Sequence, residues 1–534
     1  MRCTFCGHDN DAGTRFCGKC GAEMPAAPVA PAAVEEESEN KADLKDTAAS
    51  VVGAVKTMPV KKLAIIGGAI VLAIIAIILL VSLLRGSSGV TSSDHIAIFT
   101  DRDQVIISGN NNRQFTIDGE FWDMQRSLDG SRAAILVDYD RNHGGTLWYV
   151  TTSRATLVAD DVVEFQLSDT GRGIAFLTDL DRNDAGQLVL FDTSNSRSTN
   201  ITDEVIYFTI SPDGRTVAYA VYLGSNEFRG YVRSGRSSDR IGDNVMPIAV
   251  SNGGRHLYYL RVTSHGWNFD ASLHVRSGRT QNRLLPEVPW DMNIMLNSDY
   301  SEILFTDGDR TFISRNGSDR TVVSRSIIEE ILMPTHGQVR FTEDVAVYGV
   351  RTFANTVAVT RYSVESINRR FETHNVTRNL GWGLPFVSED GRTLHFLDNR
   401  DRLMRVDPTR ENAEAVEVAR NVRSFAATAD GSRVFFVNED DNLYHIRGNR
   451  NPSRIAVAVS PSLIVSGNRV FYLTDMHHTR GGDLNVSNNG GRGSRVAQDV
   501  LRVWSTPTNV FYTNIDGETF RSNGNHRFSM FHQD

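Results

Sequence analysis

Residues 211–221 read SPDGRTVAYAV, a polar Ser-x-Asp-Gly turn followed at once by a hydrophobic run. Glycine takes the positive φ that a tight turn requires, and the aspartate side chain can hydrogen-bond the turn backbone. The run after the turn is apolar at successive positions, which suits a strand buried on both faces between stacked sheets. This stretch therefore predicts a tight turn and a buried strand in a mainly β protein.

The same unit recurs along most of the chain. The clearest further copies begin at Ser127, Ser168, Ser251, Ser388, Thr428 and Ser466, and weaker copies begin near Asn297 and Thr506. The starts at residues 127, 168, 211 and 251 lie 41, 43 and 40 residues apart. A second strand, with the pattern seen at residues 147–150 (LWYV), follows in several copies. A repeat of about forty residues made of short strands is typical of β-propeller blades.

The repeat resembles the Pro-Asp-x-Gly propeller repeats of the TolB-like family. Its fullest match is Ser211-Pro212-Asp213-Gly214-Arg215, and the similarity covers nearly all of the chain after residue 86. The resemblance implies a β-propeller body. The separate α/β domain of that family has no counterpart in this sequence, so the resemblance does not extend to the family's partners.

The number of repeats is larger than in an ordinary propeller. The repeated part, at roughly 42 residues per blade, gives ten or eleven blade-like units, whereas common propellers have about four to eight blades. The repeat fades between residues 327 and 384, where the Asp-Gly turn is missing. We therefore predict two adjoining propellers, over residues 90–335 and 336–534, that meet near residues 326–345. One large ring is the alternative.

A long uncharged run precedes the repeats. Leu63–Leu84 comprises twenty-two residues without a charge, and a helix of that length spans about 33 Å, enough for a bilayer core of about 30 Å. A cleaved signal peptide is the alternative, but its apolar region is shorter, lies nearer the N-terminus and ends in a small-residue cleavage site. We predict a single transmembrane helix over residues 61–85.

Basic residues around this run indicate its orientation. Four lysines precede it within about twenty residues and two arginines follow it: Lys45, Lys56, Lys61, Lys62, Arg85 and Arg102. Since basic residues are retained on the cytoplasmic side, the N-terminus should be cytosolic and the repeated body extracytoplasmic.

All four cysteines of the chain lie in two short pairs near the N-terminus. The pairs are Cys3-Thr-Phe-Cys6 and Cys17-Gly-Lys-Cys20, separated by ten residues. Two such turns can close a tetrahedron of thiolates around a structural Zn²⁺, with no open position for catalysis. A redox pair of the thioredoxin type occurs once and in a strand-helix context, which is missing here. Over residues 1–24, the segment resembles the short zinc ribbon at the N-termini of many bacterial membrane proteins. The following residues 25–60 are rich in Pro, Ala and Glu and are predicted to be a disordered linker.

Two oxygen-rich stretches and one histidine pair are weaker candidates for metal sites. Asp138-x-Asp140-x-Asn142 and Asp179-x-Asp181-x-Asn183-Asp184 begin like calcium loops, but both lack the acidic residue at the twelfth position. They are interpreted first as hairpin tips. His477-His478, near Asp475 and Asp483, is interpreted as part of a solvated loop.

The charged residues show an unusual distribution. The formal net charge is -8, which argues against a general nucleic-acid partner. After Lys62 the chain contains 48 arginines and no lysine. Guanidinium binds anions bidentately, and only lysine carries a nucleophilic amine. The bias therefore indicates either an anionic partner or selection against exposed amines; descent from an arginine-bearing ancestral repeat is the simpler alternative.

These features predict a membrane-anchored binding or sensing protein. Its extracytoplasmic body would bind a protein or an envelope polymer, and its zinc ribbon could bind a cytosolic protein. No catalytic residue or organic cofactor is assigned, because neither a Gly-x-Ser-x-Gly elbow nor a phosphate loop occurs. The alternative is an extracytoplasmic hydrolase or lyase acting on envelope polysaccharide or peptide.

Overall fold

The computed structural model describes most of the repeated body. It covers residues 96–522 and 527–529, apart from 102, 109–113, 142, 181–183, 226, 265–269, 290–291, 334–338, 342–344, 382, 478 and 506–509. The predicted zinc ribbon, linker and transmembrane segment lie outside these residues. No helix within the described part has the length and apolar character to cross a bilayer.

The body begins with a three-stranded sheet and a ten-stranded sheet, each in chain order. The first comprises β1 (Ala97–Asp101), β2 (Gln104–Ser108) and β3 (Gln114–Asp118). The second comprises β4 (Phe121–Arg126), β5 (Arg132–Asp140), β6 (Gly144–Thr151), β7 (Ala155–Leu167), β8 (Gly173–Thr178), β9 (Gly186–Asp192), β10 (Arg197–Ile210), β11 (Thr216–Gly224), β12 (Glu227–Ser234) and β13 (Ser237–Asp243).

Two long strands divide the second sheet into three four-stranded modules. The first half of β7 pairs with β6 and its second half with β8, and β10 is shared between β9 and β11 in the same way. The changes of partner lie at Asp161 and Glu204, where φ is 57° and 60°. We name β4–β7, β7–β10 and β10–β13 modules 1, 2 and 3.

The remaining modules repeat this antiparallel order. Module 4 contains β14 (Val245–Val250), β15 (His256–Ser264), β16 (Asp270–Ser277) and β17 (Thr280–Leu285), with a 3-10 turn at Asn252–Gly254. Module 5 contains β18 (Ile294–Leu296), β19 (Glu302–Asp307), β20 (Arg310–Arg315) and β21 (Thr321–Ser324). Module 6 contains β22 (Ile328–Leu332), β25 (Thr356–Thr360), β26 (Val364–Ile367) and β27 (Thr373–Thr377).

Four further modules follow. Module 7 contains β28 (Phe386–Val387), β29 (Leu394–Leu397), β30 (Leu403–Val406) and β31 (Val416–Ala419). Module 8 contains β32 (Val422–Ala427), β33 (Arg433–Asn438), β34 (Leu443–Arg447) and β35 (Ser453–Ala456). Modules 9 and 10 share the long β39 in one sheet of β36 (Val459–Ser466), β37 (Arg469–His477), β38 (Gly481–Asn488), β39 (Ser494–Ser505), β40 (Val510–Asn514), β41 (Thr519–Ser522) and β42 (Arg527–Ser529).

The turn between the first two strands of a module is built from the repeated polar motif. In module 3, Ser211 Oγ donates to Asp213 Oδ1 at 2.6 Å, and the amide of Thr216 donates to Ser211 Oγ at 3.0 Å. Gly214 has φ 75°, which L side chains rarely adopt. The Ser or Thr hydroxyls of modules 1, 7 and 8 donate to their turn aspartates at the same 2.6 Å distance. The sequence motif thus forms the same turn in each of these modules.

Each module buries its second strand against the next module. Ala175 and Leu177 of β8 share a cluster with Val217 and Tyr219 of β11, and similar clusters join the later modules in order. At the ends of the body, Phe99 of β1 packs 5.2 Å from Phe511 of β40, measured between ring centroids. The three-stranded sheet also packs on module 1. The hydrophobic packing therefore runs through all described modules and returns to the first.

A hairpin interrupts module 6 in the stretch where the repeat fades. It consists of β23 (Val339–Phe341) and β24 (Val345–Tyr348), and β24 pairs in parallel with β18 of module 5. The valines of β24 pack in the cluster that joins modules 4 and 5. This insertion separates β22 from β25, the strand with which it pairs, and explains why no Asp-Gly turn occurs there.

The mainly β fold is confirmed. The described residues contain ten four-stranded modules and one three-stranded sheet, and none of their sheets closes on itself through hydrogen bonds. The division into two propellers near residues 326–345, against one large ring, stays a prediction.

Candidate functional site

The acidic turns predicted as possible calcium loops are hairpin tips. Asp138 and Asp179 adopt φ near 54° at the ends of β5 and β8, and Asp138 Oδ1 accepts the amide of Glu120 at 2.8 Å. Aspartate tolerates this left-handed conformation, so the backbone of the turn explains why aspartate occurs at these two positions. Asn142, Asp181 and Asn183 lie outside the described residues. Within the described part, no three His, Cys, Asp or Glu side chains converge as metal ligands would.

The histidine-containing loop shows separate local contacts. His477 Nδ1 lies 3.0 Å from Thr479 Oγ1. Asp483 forms an ion pair with Arg495 at 3.1 Å. His478 lies outside the described residues. These contacts give His477 and Asp483 different local partners.

One serine-histidine pair tests the enzymatic alternative. Ser272 Oγ lies 2.8 Å from His274 Nε2. Burial, which is the largest cause, and the nearby Arg261 and Arg283 together lower the pKa of His274 to about 4. A catalytic histidine is normally stabilised as imidazolium by a carboxylate, whereas arginines destabilise that form. The pair is therefore unsuited to nucleophilic catalysis.

A groove of about 770 Å³ lies between modules 5 and 6. Its walls come from β21 on one side and from β26 and β27 on the other, with the adjoining loops. Ser324 Oγ donates to the buried Glu365 Oε2 at 2.7 Å, and Thr373 Oγ1 donates to the carbonyl of Val323 at 3.1 Å. These two hydrogen bonds join the modules directly beneath the groove and fix the distance between its walls.

The exposed lining of the groove combines an aromatic ring with charges of both signs. Tyr362 is 65% exposed and Val322 is 45% exposed. The guanidinium of Arg361 lies 5.3 Å from the centre of the Tyr362 ring, which limits the orientations of that ring. Arg325 and Arg378 add positive charge to the lining, which also contains Glu372. An exposed ring can stack on a sugar or pack on an apolar side chain, while arginine can bind carboxylate or phosphate bidentately.

The two glutamates of the groove have structural hydrogen bonds. Glu365 is 7% exposed and accepts the Ser324 hydroxyl, and Glu372 Oε2 accepts the side-chain amide of Asn368 at 3.1 Å. A glycosidase needs two carboxyl groups that flank the scissile bond, free to exchange a proton or attack the sugar. Both glutamates of the groove therefore have a structural partner.

Sequence reasoning missed this groove because its residues lie where the repeat fades. No spacing in the sequence places β21 beside β27. The available signal was the exposed pair Arg361-Tyr362 at a turn between two buried runs. The cysteines predicted as zinc ligands, Cys3, Cys6, Cys17 and Cys20, lie outside the described residues.

Comparison with protein families places a zinc-ribbon domain at residues 2–24. This segment contains all four cysteines, and the match confirms the predicted zinc ribbon. No curated protein matches the chain significantly.

Several solved structures are similar to the body at low identity. A eukaryotic initiation factor has a TM-score of 0.35 and 8% identity, covering 75% of this chain and 96% of its own. The β-propeller domain of the Trilobed protease from Pyrococcus furiosus has a TM-score of 0.30 and 11% identity, covering 71% and 98%. TolB from Acinetobacter baumannii has a TM-score of 0.28 and 11% identity, covering 48% and 66%. The chain thus has propeller-like structural neighbours, and identities this low concern the fold alone.

Proposed function

We propose that this protein is a single-pass, membrane-anchored binding protein. Its zinc ribbon lies in the cytosol, and its β body lies outside the membrane and binds a protein or an envelope polymer. The uncharged run Leu63–Leu84 supports the anchor, and the lysines before it support the orientation. Protease added to intact cells should digest the body and leave the cysteine-bearing end intact. The reverse pattern would contradict the orientation.

Cys3, Cys6, Cys17 and Cys20 hold one structural Zn²⁺ in this proposal. Four thiolates complete the tetrahedral shell, and a segment with almost no core depends on the metal for folding. The purified full chain should contain one zinc per molecule by elemental analysis, and a Cys17→Ser, Cys20→Ser variant should contain almost none. Retention of zinc by that variant would contradict the assignment.

The groove between modules 5 and 6 is the binding site of the body. The observation that carries this proposal is the exposed Tyr362, set between walls fixed by inter-module hydrogen bonds and flanked by arginine and glutamate. Such a lining favours a chain-like ligand with polar groups on both sides of an apolar or sugar ring.

The experiment is capture of envelope components by the full chain in detergent, with a glycan panel in parallel. A Tyr362→Ala, Arg378→Ala variant should lose most of the captured material. A Trp122→Ala, Arg141→Ala variant is the matched control, since Trp122 is also an exposed aromatic residue, at 57%, and lies far along the chain. Equal capture by both variants would exclude the groove, and turnover of a glycan on the panel would favour the hydrolase or lyase alternative.

A further inference from the structure

The two ends of the strands in modules 2–4 carry opposite charge. The turns between the first and second strands and between the third and fourth strands lie at one end, which we call the arginine edge. Their adjacency is direct, because the amide of Thr193 donates to the carbonyl of Arg172 and the amide of Gly278 donates to that of Arg255, both at 3.1 Å. Six exposed arginines lie on this edge: Arg172, Arg197, Arg215, Arg236, Arg255 and Arg279.

Neighbouring modules join their arginine-bearing turns. The amide of Thr170 donates to the carbonyl of Pro212 at 3.0 Å, and the amide of Asp213 donates to Asn252 Oδ1 at 3.0 Å. These bonds place the turns of modules 2, 3 and 4 side by side. Within the described residues, none of the six arginines forms an ion pair. The edge is therefore a row of exposed guanidinium groups, and Asp192 on the same edge lies close enough to Arg215 to interact with it electrostatically.

The opposite ends of the same strands are acidic. The exposed acids there are Asp161, Asp179, Asp184, Asp203, Glu204, Glu227, Asp243 and Asp270. A strand of six residues separates the two ends by about 20 Å, and the Debye length at physiological salt is about 8 Å. A partner at the arginine edge is thus screened from these acids, in spite of the net charge of -8.

Turn geometry explains several of these acids, whereas it requires none of the arginines. Asp161, Asp179 and Asp184 have φ between 54° and 58°, a region in which Asp and Asn are favoured. In contrast, Arg172, Arg215 and Arg255 follow the turn glycines at positions where backbone geometry requires no particular side chain. The three guanidinium groups therefore recur at the same position of neighbouring turns.

The chain reaches the body at the arginine edge. The first described residue, Ile96, donates its amide to the carbonyl of Gly130, in the turn between β4 and β5 of module 1, at 3.1 Å. That turn lies next to the module 2 turn, because the amide of Leu128 donates to the backbone carbonyl of Asp169 at 2.8 Å. Eleven residues, Arg85–His95, lie between the proposed anchor and this point. They reach at most about 40 Å, which limits the distance between Ile96 and the end of the proposed anchor.

We propose that the arginine edge of modules 2–4 binds the anionic phospholipid headgroups of the membrane that anchors the chain. This inference rests on the proposed anchor. Guanidinium is weakly hydrated and binds phosphate bidentately, and each basic residue near an anionic surface strengthens binding about fivefold. The short tether raises the local lipid concentration, so modest contacts suffice. The groove between modules 5 and 6 opens beside Arg325 and Tyr362, which lie at the strand ends opposite to the arginine edge, and remains free for its ligand.

The test compares the full chain in nanodiscs of phosphatidylcholine with nanodiscs that contain one quarter phosphatidylglycerol. Phenylglyoxal modification of each arginine is followed by mass spectrometry. Anionic lipid should slow the modification of Arg172, Arg215 and Arg255 about fivefold at 0.15 M salt, and 1 M salt should restore the rate. The control arginines at the opposite ends of the strands, Arg141, Arg310 and Arg420, should react equally in both lipids. Equal rates at the arginine edge in both lipids would overturn the proposal.

Two triple variants that each remove three positive charges distinguish an effect of the arginine edge from an effect of net charge. In R172Q/R215Q/R255Q, lipid protection of Arg197, Arg236 and Arg279 should disappear, whereas R141Q/R310Q/R420Q should retain it. Soluble inorganic polyphosphate is added to neutral nanodiscs in a parallel arm. Protection by polyphosphate without protection by anionic lipid would assign the edge to a soluble anion and overturn the lipid assignment. Failure of the chain to incorporate into neutral nanodiscs would overturn the anchor as well, whereas incorporation without protection would overturn this inference alone.

Discussion

The turn of module 3 and the junction of modules 5 and 6 hold the chain in different ways. In the turn, the side-chain hydrogen bonds of Ser211 and Asp213 and the positive φ of Gly214 all lie within six residues of sequence. At the junction, Arg340 of the inserted hairpin contacts the carbonyl of Leu167 from 173 residues away, at 2.9 Å. The first arrangement is local and repeats; the second is long-range and occurs where the motif is missing. Local chemistry therefore builds the modules, and buried long-range contacts stabilise the departure from the repeat.

The hairpin contact centres on a buried ion pair. Arg340 and Asp169 are 7% and 3% exposed, and their closest nitrogen and oxygen atoms lie 2.5 Å apart. Arg340 Nη2 also donates to Tyr300 Oη at 3.1 Å. Burial raises the pKa of Asp169, and Arg340 opposes that rise. Since Asp169 belongs to the turn of module 2 and Tyr300 to that of module 5, Arg340 joins both turns to the hairpin.

Arg340→Met should have the largest effect on stability. It leaves Asp169 buried without its partner, which costs about 3–5 kcal/mol in comparable cases. Chemical denaturation of the full chain in detergent measures the loss. The double variant Arg340→Met, Asp169→Leu should recover most of it, because no buried charge remains. A loss below about 1 kcal/mol for the single variant, the range of exposed pairs, would show that the hairpin is not held this way.

Gly173→Ala should rank next and tests the contact between regular modules. A Cβ at Gly173 of β8 would lie 2.4 Å from the carbonyl oxygen of Gly214 in module 3. Both atoms belong to backbone that packing holds in place, so overpacking should cost about 1–3 kcal/mol. Gly242→Ala is the matched control, because its added Cβ would meet nothing closer than 3.5 Å. Equal melting temperatures for the two variants would refute the tight approach of modules 2 and 3.

The same contrast explains how much the sequence could predict. Ser211, Asp213 and Gly214 form a motif whose geometry follows from residue type, so the turns, the buried strands and the β class were predictable. The cysteine pairs were predictable for the same reason, because their spacing is itself the chemistry. No sequence motif distinguishes Arg340 from the other arginines among the 48 that follow Lys62. Its role depends on Asp169, a partner 171 residues earlier in the chain.

The groove and the hairpin share this dependence on distant residues. Ser324 and Glu365 meet only because β21 and β26 belong to adjacent modules. The acidic turns show the opposite case, since the local pattern indicated hairpin tips first and Asp138 and Asp179 adopt a left-handed backbone at such tips. A local pattern can therefore predict a turn correctly where the residue types of the turn itself determine its backbone.

Ser211→Ala should have a smaller effect than either change at a module contact. The variant loses the bond to Asp213 and the acceptor for the amide of Thr216, while Gly214 and the backbone bond from its amide to the carbonyl of Ser211, at 2.9 Å, remain. A hydrogen bond contributes about 1 kcal/mol net, so a loss of about 1–2 kcal/mol is expected. Ser237→Ala, at an exposed strand start, is the control. A loss as large as that of Arg340→Met would mean that the local turn and the buried contact do not differ as argued.

Protonation of the turn aspartates at low pH should lower the free energy of unfolding, and the loss for each aspartate should be the smallest of these effects. The hydrogen bond from Ser388 lowers the pKa of Asp390, and the amide of Arg392 lowers it further. Burial alone would raise the pKa of Asp430, but hydrogen bonds from Thr428 and Ser432 outweigh it, and the pKa is lowered. A carboxyl group whose pKa is lower in the folded protein stabilises it above the unfolded pKa of about 3.9, and that contribution disappears as the pH falls through the folded pKa.

Asp390→Asn removes this pH-dependent contribution and leaves the turn otherwise similar in shape. Its free energy of unfolding should therefore be lower than that of the natural chain at pH 6, and the difference should shrink as the pH falls below about 4. Denaturant titrations at both pH values measure it. Asp309→Asn is the control, because that side chain is 92% exposed. A difference that stays constant with pH would mean that Ser388 bonds the neutral side chain equally well, and the turn would then depend on shape rather than on charge.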